Sequence, residues 1–104
     1  MKIVKITYTT KAEYVEQNQS NIKQVMHDLQ QFNYPGINYH VCLSANGQTF
    51  IHTAFFKSPD DEKLLLVLPA FIHFQDQLKR EGIEVPPKQE LLTFVGSSTN
   101  IFRS

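Results

Sequence analysis

The stretch INYHVCLSANGQTFIHTAFFK, residues 37–57, determines the fold of this chain. It contains two runs rich in β-branched and aromatic residues, which lie on either side of Asn46-Gly47. An Asn-Gly pair between two such runs predicts a tight β-hairpin, with positive φ at both Asn46 and Gly47. The expected register places Leu43 opposite Phe50 and Val41 opposite His52.

The same register divides the hairpin residues between two faces of a sheet, because successive side chains of a strand point in opposite directions. One face carries Ile37, Tyr39, Val41, Leu43, Phe50, His52, Ala54 and Phe56. The other face carries Asn38, His40, Cys42, Ile51, Thr53 and Phe55. A sheet with one solvent-exposed side has mostly polar residues on that side. Both faces of this hairpin carry apolar residues, so we expect both to be covered.

The residues before the hairpin predict a strand followed by a helix. Residues 3–8 are rich in β-branched residues, and Thr10-Lys11-Ala12-Glu13 has the pattern of a helix-capping box. Pro35-Gly36 marks the end of the helix. Apolar residues at helical spacing form its expected core stripe, namely Val15, Ile22, Val25, Met26, Leu29 and Phe32.

The residues after the hairpin predict a helix interrupted by proline, and then a last strand. Ser58 is the expected cap with Pro59 in the first turn, and Pro69 divides the helix into segments 60–67 and 69–81. Leu64, Leu68, Phe71 and Leu78 form the expected inward stripe. Pro86-Pro87 predicts a loop, and residues 90–95 the fourth strand. The order β-α-β-β-α-β predicts a ferredoxin-like α+β fold, one domain over residues 1–104, with two helices on one face of a four-stranded antiparallel sheet.

Composition narrows the classes of function. Ten basic and ten acidic residues give a net charge of zero, which offers no footprint for nucleic acid or an anionic membrane. The single cysteine, Cys42, lies in a strand pattern and is expected to be a buried, inert thiol. One cysteine and no long apolar run suggest a cytoplasmic protein.

The hairpin, together with Leu68-Pro69-Ala70-Phe71, Phe74-Gln75 and Leu78-Lys79, resembles the dimeric α+β barrel superfamily. This group includes antibiotic biosynthesis monooxygenase-like proteins. The resemblance implies a homodimer in which two sheets pack face to face, and a pocket between the sheet and the helices of each subunit. It also implies a small apolar ligand and, if the protein is an enzyme, oxidation without a cofactor.

Two residues are the leading site candidates. His52 is a titratable ring on an otherwise apolar face, and Tyr39 lies on the same face of the neighbouring strand. The competing interpretation is a core histidine hydrogen-bonded to the backbone. The expected pocket walls are Phe50, Phe56, Phe71 and Leu68.

The other three histidines give weaker indications of a functional site. His40 and His52 lie on opposite predicted faces, and the strands of the hairpin contain no carboxylate, so no metal site is expected. His40 is expected at the dimer interface and His27 on the surface. His73 is a weaker site candidate, and the only residue that could match the iron ligand of the haem-degrading proteins that the superfamily includes. Trp is absent from this chain, and the first strand offers Thr7 and Tyr8 where that group has Asn.

Three functions therefore remain open from the sequence. They are a cofactor-free monooxygenase-like pocket protein, a non-catalytic dimeric ligand-binding or stress-responsive module, and a haem-binding protein. All three share a homodimer, expected to form through the face that carries His40, Cys42, Ile51, Thr53 and Phe55. Val4 and Ile6 or Leu92 and Phe94 are expected to extend that face, and Ile101 and Phe102, exposed on a monomer, to reach the partner.

Overall fold

A computed structural model describes residues 1–102 and has the predicted ferredoxin-like architecture. Four strands form one antiparallel sheet in the order β2-β3-β1-β4, and three helices complete the α+β fold. Buried residues of the helices and of one sheet face form a single core cluster. The elements are β1 (Lys2–Thr10), α1 (Val15–Phe32), β2 (Ile37–Leu43), β3 (Thr49–Phe56), α2 (Pro59–Leu66), α3 (Pro69–Gln77) and β4 (Ile83–Leu92).

The hairpin has the predicted register but a different turn. Leu43 lies opposite Phe50 and Val41 opposite His52, as expected. Positive φ at Asn46 was a wrong prediction, since Gly47 alone in this turn has positive φ, at 76°. The Gly47 N–H donates to the Ser44 carbonyl at 2.9 Å, and Asn46 Oδ1 accepts from the amides of Gln48 and Thr49. Asn46 thus closes a longer connection with its side chain, as Asn residues commonly do in turns.

The predicted capping box before α1 is absent. Thr10 is the last residue of β1, where its N–H donates to the Gln48 carbonyl at 3.0 Å. Its backbone is therefore held in the sheet and cannot start a helix. A short 3₁₀ turn, Ala12–Tyr14, follows, and α1 begins at Val15 without a side-chain cap. The C-terminal end has Asn33 in the left-handed region at φ 52°, a common helix stop.

The break at Pro69 is confirmed, and so is the Ser58 cap. Ser58 Oγ accepts from the Asp61 N–H at 3.3 Å, α2 ends at Leu66, and α3 begins at Pro69. The prediction for Leu64 was wrong, because Leu64 is 38% exposed and Leu65 is the buried residue. A single helical periodicity cannot be continued across the break, so each segment has its own inward phase. Leu68, Phe71 and Leu78 are buried as predicted.

The last strand spans Ile83–Leu92 and not the predicted 90–95, so it begins and ends earlier than expected and includes the two prolines that were predicted to form a loop. β4 runs from Ile83, after a π-helical turn at Leu78–Gly82, and pairs only with β1. An edge strand has one side free of ladder hydrogen bonds, and the pairing with β1 is irregular between Thr7 and Thr10. Proline is tolerated in an edge strand and where the pairing is irregular, which explains how Pro86-Pro87 fits within β4.

The sheet face opposite the helices is more polar than predicted. In β1 Ile3, Lys5 and Thr7 lie on it, whereas Val4 and Ile6 pair with Ala54 and His52 of the helix-covered face, so their assignment to the open face was wrong. The apolar residues that the register places on the open face are Ile3, Ile51, Phe55, Val85 and Leu92. Cys42 is exposed on it, contrary to the prediction of a buried thiol.

Residues 93–100 are exposed, and the chain returns to the sheet at Ile101 and Phe102. The Asn38 side chain donates to the Ile101 carbonyl at 2.8 Å, and Ile101 and Phe102 are half-buried rather than exposed as predicted. Within residues 1–102, no helix combines the length and the apolar character that a membrane crossing requires.

Candidate ligand-binding site

A chain of four hydrogen-bonded side chains lies between the sheet and the helices. Asn18 Nδ2 of α1 donates to the Tyr8 hydroxyl at 2.9 Å, and the Tyr8 hydroxyl is 2.7 Å from His52 Nε2. On the other side of the imidazole, His52 Nδ1 is 2.5 Å from the Tyr39 hydroxyl. Both nitrogens of one buried histidine are therefore bonded to phenols.

The strand register explains why these groups meet. His52 lies opposite Ile6 on one neighbouring strand and opposite Val41 on the other. Tyr8 and Tyr39 are each two residues from these partners, so both occupy diagonal positions on the same face as His52. Aromatic side chains reach each other across such diagonals. The imidazole thus lies between two phenols supplied by the strands on either side.

Burial keeps all three titratable groups neutral. His52 is 5% exposed, and burial lowers its pKa to about 4. Burial also raises the pKa of the Tyr8 and Tyr39 hydroxyls well above their ordinary value. At neutral pH the site therefore contains a neutral imidazole, with one N–H and one bare nitrogen, between two neutral phenols.

Two small cavities adjoin this chain, with volumes of about 110 and 160 Å³. Phe74 stacks on His52 with ring centroids 5.4 Å apart, and Phe71 meets Tyr39 edge-on at 6.3 Å. Both cavities are lined by Ile6, Tyr39, His52, Phe71 and Gln75. Their walls are mainly apolar, which is typical of sites that bind small organic molecules.

Each cavity has one charged residue in its lining. Lys79 lines the smaller cavity together with Pro87. Glu62 lines the larger one with Gln89, and its carboxylate also forms an ion pair with Lys2 at 3.0 Å. An apolar ligand that carries polar groups at its ends is therefore compatible with this lining.

Larger grooves of about 360 to 430 Å³ lie elsewhere on the surface. They run along α1, β2 and the C-terminal residues. The histidine and cysteine that line them, His40 and Cys42, are both exposed. Tyr39 also lines two of these grooves, but neither His52 nor Tyr8 lines any of them.

The structure brings together the two leading candidates and separates the others. His52 and Tyr39 are in contact, and Phe56 and Phe71 line the larger cavity. Phe50 stacks on Tyr8 at 5.6 Å, behind the site, and Leu68 is buried in the core without lining either cavity.

The remaining histidines lie outside both cavities. His27 and His73 are exposed on helices, and His40 is exposed on the open sheet face, 6.2 Å from Phe55 between ring centroids. None of them contributes to the hydrogen-bonded chain at His52.

Sequence reasoning missed Tyr8, Asn18 and Phe74. Tyr8 shares the alternation of Val4 and Ile6, but its face becomes clear only once the β1–β3 register is known. Asn18 is three residues after Val15 and four before Ile22, so it lies on the core stripe of α1. A polar residue at a core position is a signal of a buried hydrogen bond.

The described residues offer no metal cluster, and the two cavities at His52 do not fit haem. Residues 1–102 contain no cluster of three or more His, Cys, Asp or Glu side chains placed to hold a metal ion. His73 is not directed at either cavity lining, and each cavity is below the roughly 300 Å³ at which sites for drug-sized molecules begin. A haem is at least as large as such molecules.

Comparison with known proteins identifies the fold. No family model matches the sequence, and no curated protein matches it significantly. Among solved structures, the Mycobacterium tuberculosis protein Rv0793 matches with a TM-score of 0.76 and 11% identity, covering 94% of this chain and 98% of that one. An antibiotic biosynthesis monooxygenase matches with a TM-score of 0.76 and 11% identity, over 92% of this chain and 100% of that one.

A third structure is the cofactor-independent oxygenase SnoaB from Streptomyces nogalater. It matches with a TM-score of 0.67 and 12% identity, over 95% of this chain and 98% of that one. Identities this low establish the fold alone. The resemblance drawn from the hairpin is confirmed at the level of the fold, since the chain has the fold of these antibiotic biosynthesis monooxygenase-like structures.

Proposed function

We propose that this protein is a homodimeric, cofactor-free oxygenase that oxidises a small reduced phenol or enol in the space between its sheet and α2 and α3. The observation that carries the proposal is the Tyr39–His52–Tyr8 chain, which supplies polar groups to an otherwise apolar cavity. The fold shared with a cofactor-independent oxygenase supports the same class of reaction.

The apolar walls would bind the rings of such a substrate and exclude water. Phe71 and Phe74 present aromatic surfaces beside the imidazole. The Tyr39 hydroxyl is neutral, so it is able to donate a hydrogen bond to an oxygen of the substrate. A hydrogen bond from a buried donor stabilises an enolate more than the neutral enol, because the charged acceptor binds more strongly.

The reaction needs no electrons from a cofactor, since the substrate supplies them. The substrate loses its enol proton to solvent before it binds. The bound enolate transfers one electron to O₂, and the resulting radical pair combines into a peroxide bond at carbon. Protonation of the peroxide and loss of water leave a carbonyl group. For a CH₂ group beside two aromatic rings, one O₂ is consumed, and one C=O and one H₂O are formed. The protein orients the substrate and stabilises its anion.

Anthrone, a reduced tricyclic ketone with an enol form, is a suitable probe. Oxygen uptake and anthraquinone formation are measured with wild-type protein and compared with the rate in buffer, in the presence of a chelator. Tyr39→Phe should lower the protein-dependent rate at least about tenfold, which corresponds to one lost hydrogen bond to a charged group. Tyr34→Phe is the matched control, because Tyr34 lies on the groove beside α1, outside both cavities.

The outcomes separate the two candidate functions. Protein-dependent oxidation that depends on Tyr39 and survives the chelator supports the proposed reaction. Binding of anthrone without oxygen uptake would contradict it and favour the non-catalytic ligand-binding module. Equal rates for Tyr39→Phe and wild type would show that the hydroxyl has no part in the reaction.

A further inference from the structure

Asn18 is a buried polar residue with no direct contact with the cavities. It is fully buried on α1, and its Nδ2 donates to the Tyr8 hydroxyl at 2.9 Å. Its Oδ1 is also buried, without a partner among the described residues. The side-chain amide leaves its oxygen unpaired while its N–H donates to Tyr8. Because an unpaired buried oxygen costs free energy, we infer that the hydrogen bond from Nδ2 is the contact that matters at this position.

That one hydrogen bond favours a single direction for all the others. The Tyr8 oxygen accepts from Asn18, and among the described residues His52 Nε2 is the one acceptor that the Tyr8 proton reaches. The opposite direction would leave the Tyr8 proton buried and unpaired, which costs free energy. An imidazole that accepts at Nε2 and is neutral has its proton on Nδ1. Nδ1–H therefore donates to the Tyr39 oxygen, and the Tyr39 proton has no acceptor among the described residues.

We propose that Asn18 is a positioning residue that fixes His52 as the Nδ1–H tautomer and so leaves the Tyr39 hydroxyl proton free for a ligand. The cavity then binds oxygen acceptors, above all the anions of phenols and enols, in preference to the neutral hydroxyl forms. This inference deepens the proposed function and rests on the same site, but it concerns binding and proton positions and does not require oxidation.

The other groups around the cavity are consistent with a bound anion. Lys79 lines the smaller cavity, which also contains Tyr8, Tyr39 and His52. Glu62 lines only the larger cavity, where it is paired with Lys2. The lining of the two cavities therefore contains one cation, Lys79, and one carboxylate, Glu62, which is already paired with Lys2.

The tautomer is measured directly by long-range ¹H–¹⁵N correlation NMR on wild-type protein with labelled histidine. His52 is identified as the signal lost in His52→Gln. We expect Nδ1 to be the protonated nitrogen at neutral pH. A wild-type His52 with its proton on Nε2 would overturn the proposal, whatever any variant does.

Asn18→Asp should reverse the chain. A carboxylate only accepts hydrogen bonds, so Tyr8 would donate to it and accept from His52 Nε2–H. Above neutral pH we expect the His52 proton to move to Nε2. Asn21→Asp is the matched control, one turn away on the same helix, because Asn21 is bonded to Gln17 and Gln77 and does not contact the chain. An unchanged tautomer in folded Asn18→Asp would contradict the role of Asn18.

Ligand preference is measured with para-nitrophenol, whose anion is coloured. Wild-type protein should bind the phenolate at least about tenfold more tightly than the neutral phenol, so the apparent pKa of the bound probe falls by about one unit. Asn18→Asp and Tyr39→Phe should both lose this preference, whereas Asn21→Asp should keep it. Tighter binding of the neutral phenol, or no binding, would overturn the inference about the ligand.

These results are separable from the proposed oxidation. An Nδ1–H tautomer and phenolate preference without oxygen uptake would support this inference and contradict the oxygenase. Oxidation of anthrone by a protein with the Nε2–H tautomer would do the reverse.

Discussion

The Tyr39 hydroxyl lies 2.5 Å from His52 Nδ1, and this contact joins the middle of the sheet to both cavities. Since Tyr8 occupies the opposite nitrogen at 2.7 Å, the imidazole has no free hydrogen-bonding position. In the proposed function, His52 would therefore act on a ligand only through a phenol. It would hold Tyr39 in place and in a defined proton state, and Tyr39 would be the group that contacts substrate.

Tyr8→Phe should destabilise the protein more than Tyr39→Phe. Removing the Tyr8 hydroxyl leaves two buried groups without partners, Asn18 Nδ2 and His52 Nε2, whereas removing the Tyr39 hydroxyl leaves only His52 Nδ1. Each unpaired buried group costs about 1–3 kcal/mol. Chemical denaturation of the two variants measures the difference, and equal losses would show that Tyr8 and Asn18 are not coupled.

The stability of the protein should fall as the pH is lowered from about 6.5 to about 4. In the unfolded chain His52 has its ordinary pKa of about 6.5, while burial lowers the folded value to about 4. Between these values the unfolded state binds the extra proton, so protonation favours unfolding. Protonation of His52 in the unfolded chain lowers the free energy of unfolding by on the order of 3 kcal/mol. This loss is complete below about pH 4 and absent above about pH 6.5.

The measurement is the free energy of unfolding of wild type and His52→Gln at several pH values. Carboxylates titrate in both proteins, so the difference between the two curves isolates His52. A difference that does not change with pH would show that His52 is solvated or already protonated in the folded protein.

The element order, the hairpin register and the break at Pro69 could be predicted because each depends on local chemistry. Two β-rich runs around Asn46-Gly47 fix a register, and a proline within a helix removes a hydrogen bond. The errors at Thr10 and Ile83 have one cause. Both residues are drawn into the sheet by pairing with each other across β1 and β4, a long-range contact with no local sequence signal.

The candidate site was half predictable for the same reason. His52 and Tyr39 lie on one face of a single hairpin, so the local register was enough to bring them together. Tyr8 and Asn18 join the site through β1 and α1, and their positions depend on the β1–β3 pairing and on helix packing. His73 has a helical phase that places it outside, on an α3 whose buried residues are Phe71 and Phe74.

Gly82→Ala should destabilise the protein by about 1–3 kcal/mol through overpacking. A Cβ at Gly82 would overlap the ring of Tyr14, which is 5% exposed and has little room to move. Gly96→Ala is the control, because a Cβ there meets no atom within 4 Å. Thermal unfolding of both variants tests the prediction, and an equal melting temperature for Gly82→Ala and wild type would contradict the packing at the π-helical turn.

The homodimer proposed here should form through the open sheet face, and Cys42 offers a direct probe of it. The chain has one cysteine, and within a single chain it is exposed on that face. A second copy seated on the face would cover Cys42 together with Ile51 and Phe55, so its reaction with a thiol reagent should slow as protein concentration rises. Light scattering should give about 24 kDa, twice the 12.0 kDa of one chain.

Phe55→Asp should give aggregated or unfolded protein, since it buries a carboxylate without a partner. Leu66→Asp is the control, because Leu66 is 50% exposed on α2 and its substitution should leave the mass unchanged. A native mass near 12 kDa, or a folded Phe55→Asp variant that keeps the mass of the dimer, would show that this face does not join two copies. A soluble folded monomer from Phe55→Asp would show that the dimer is not required for folding.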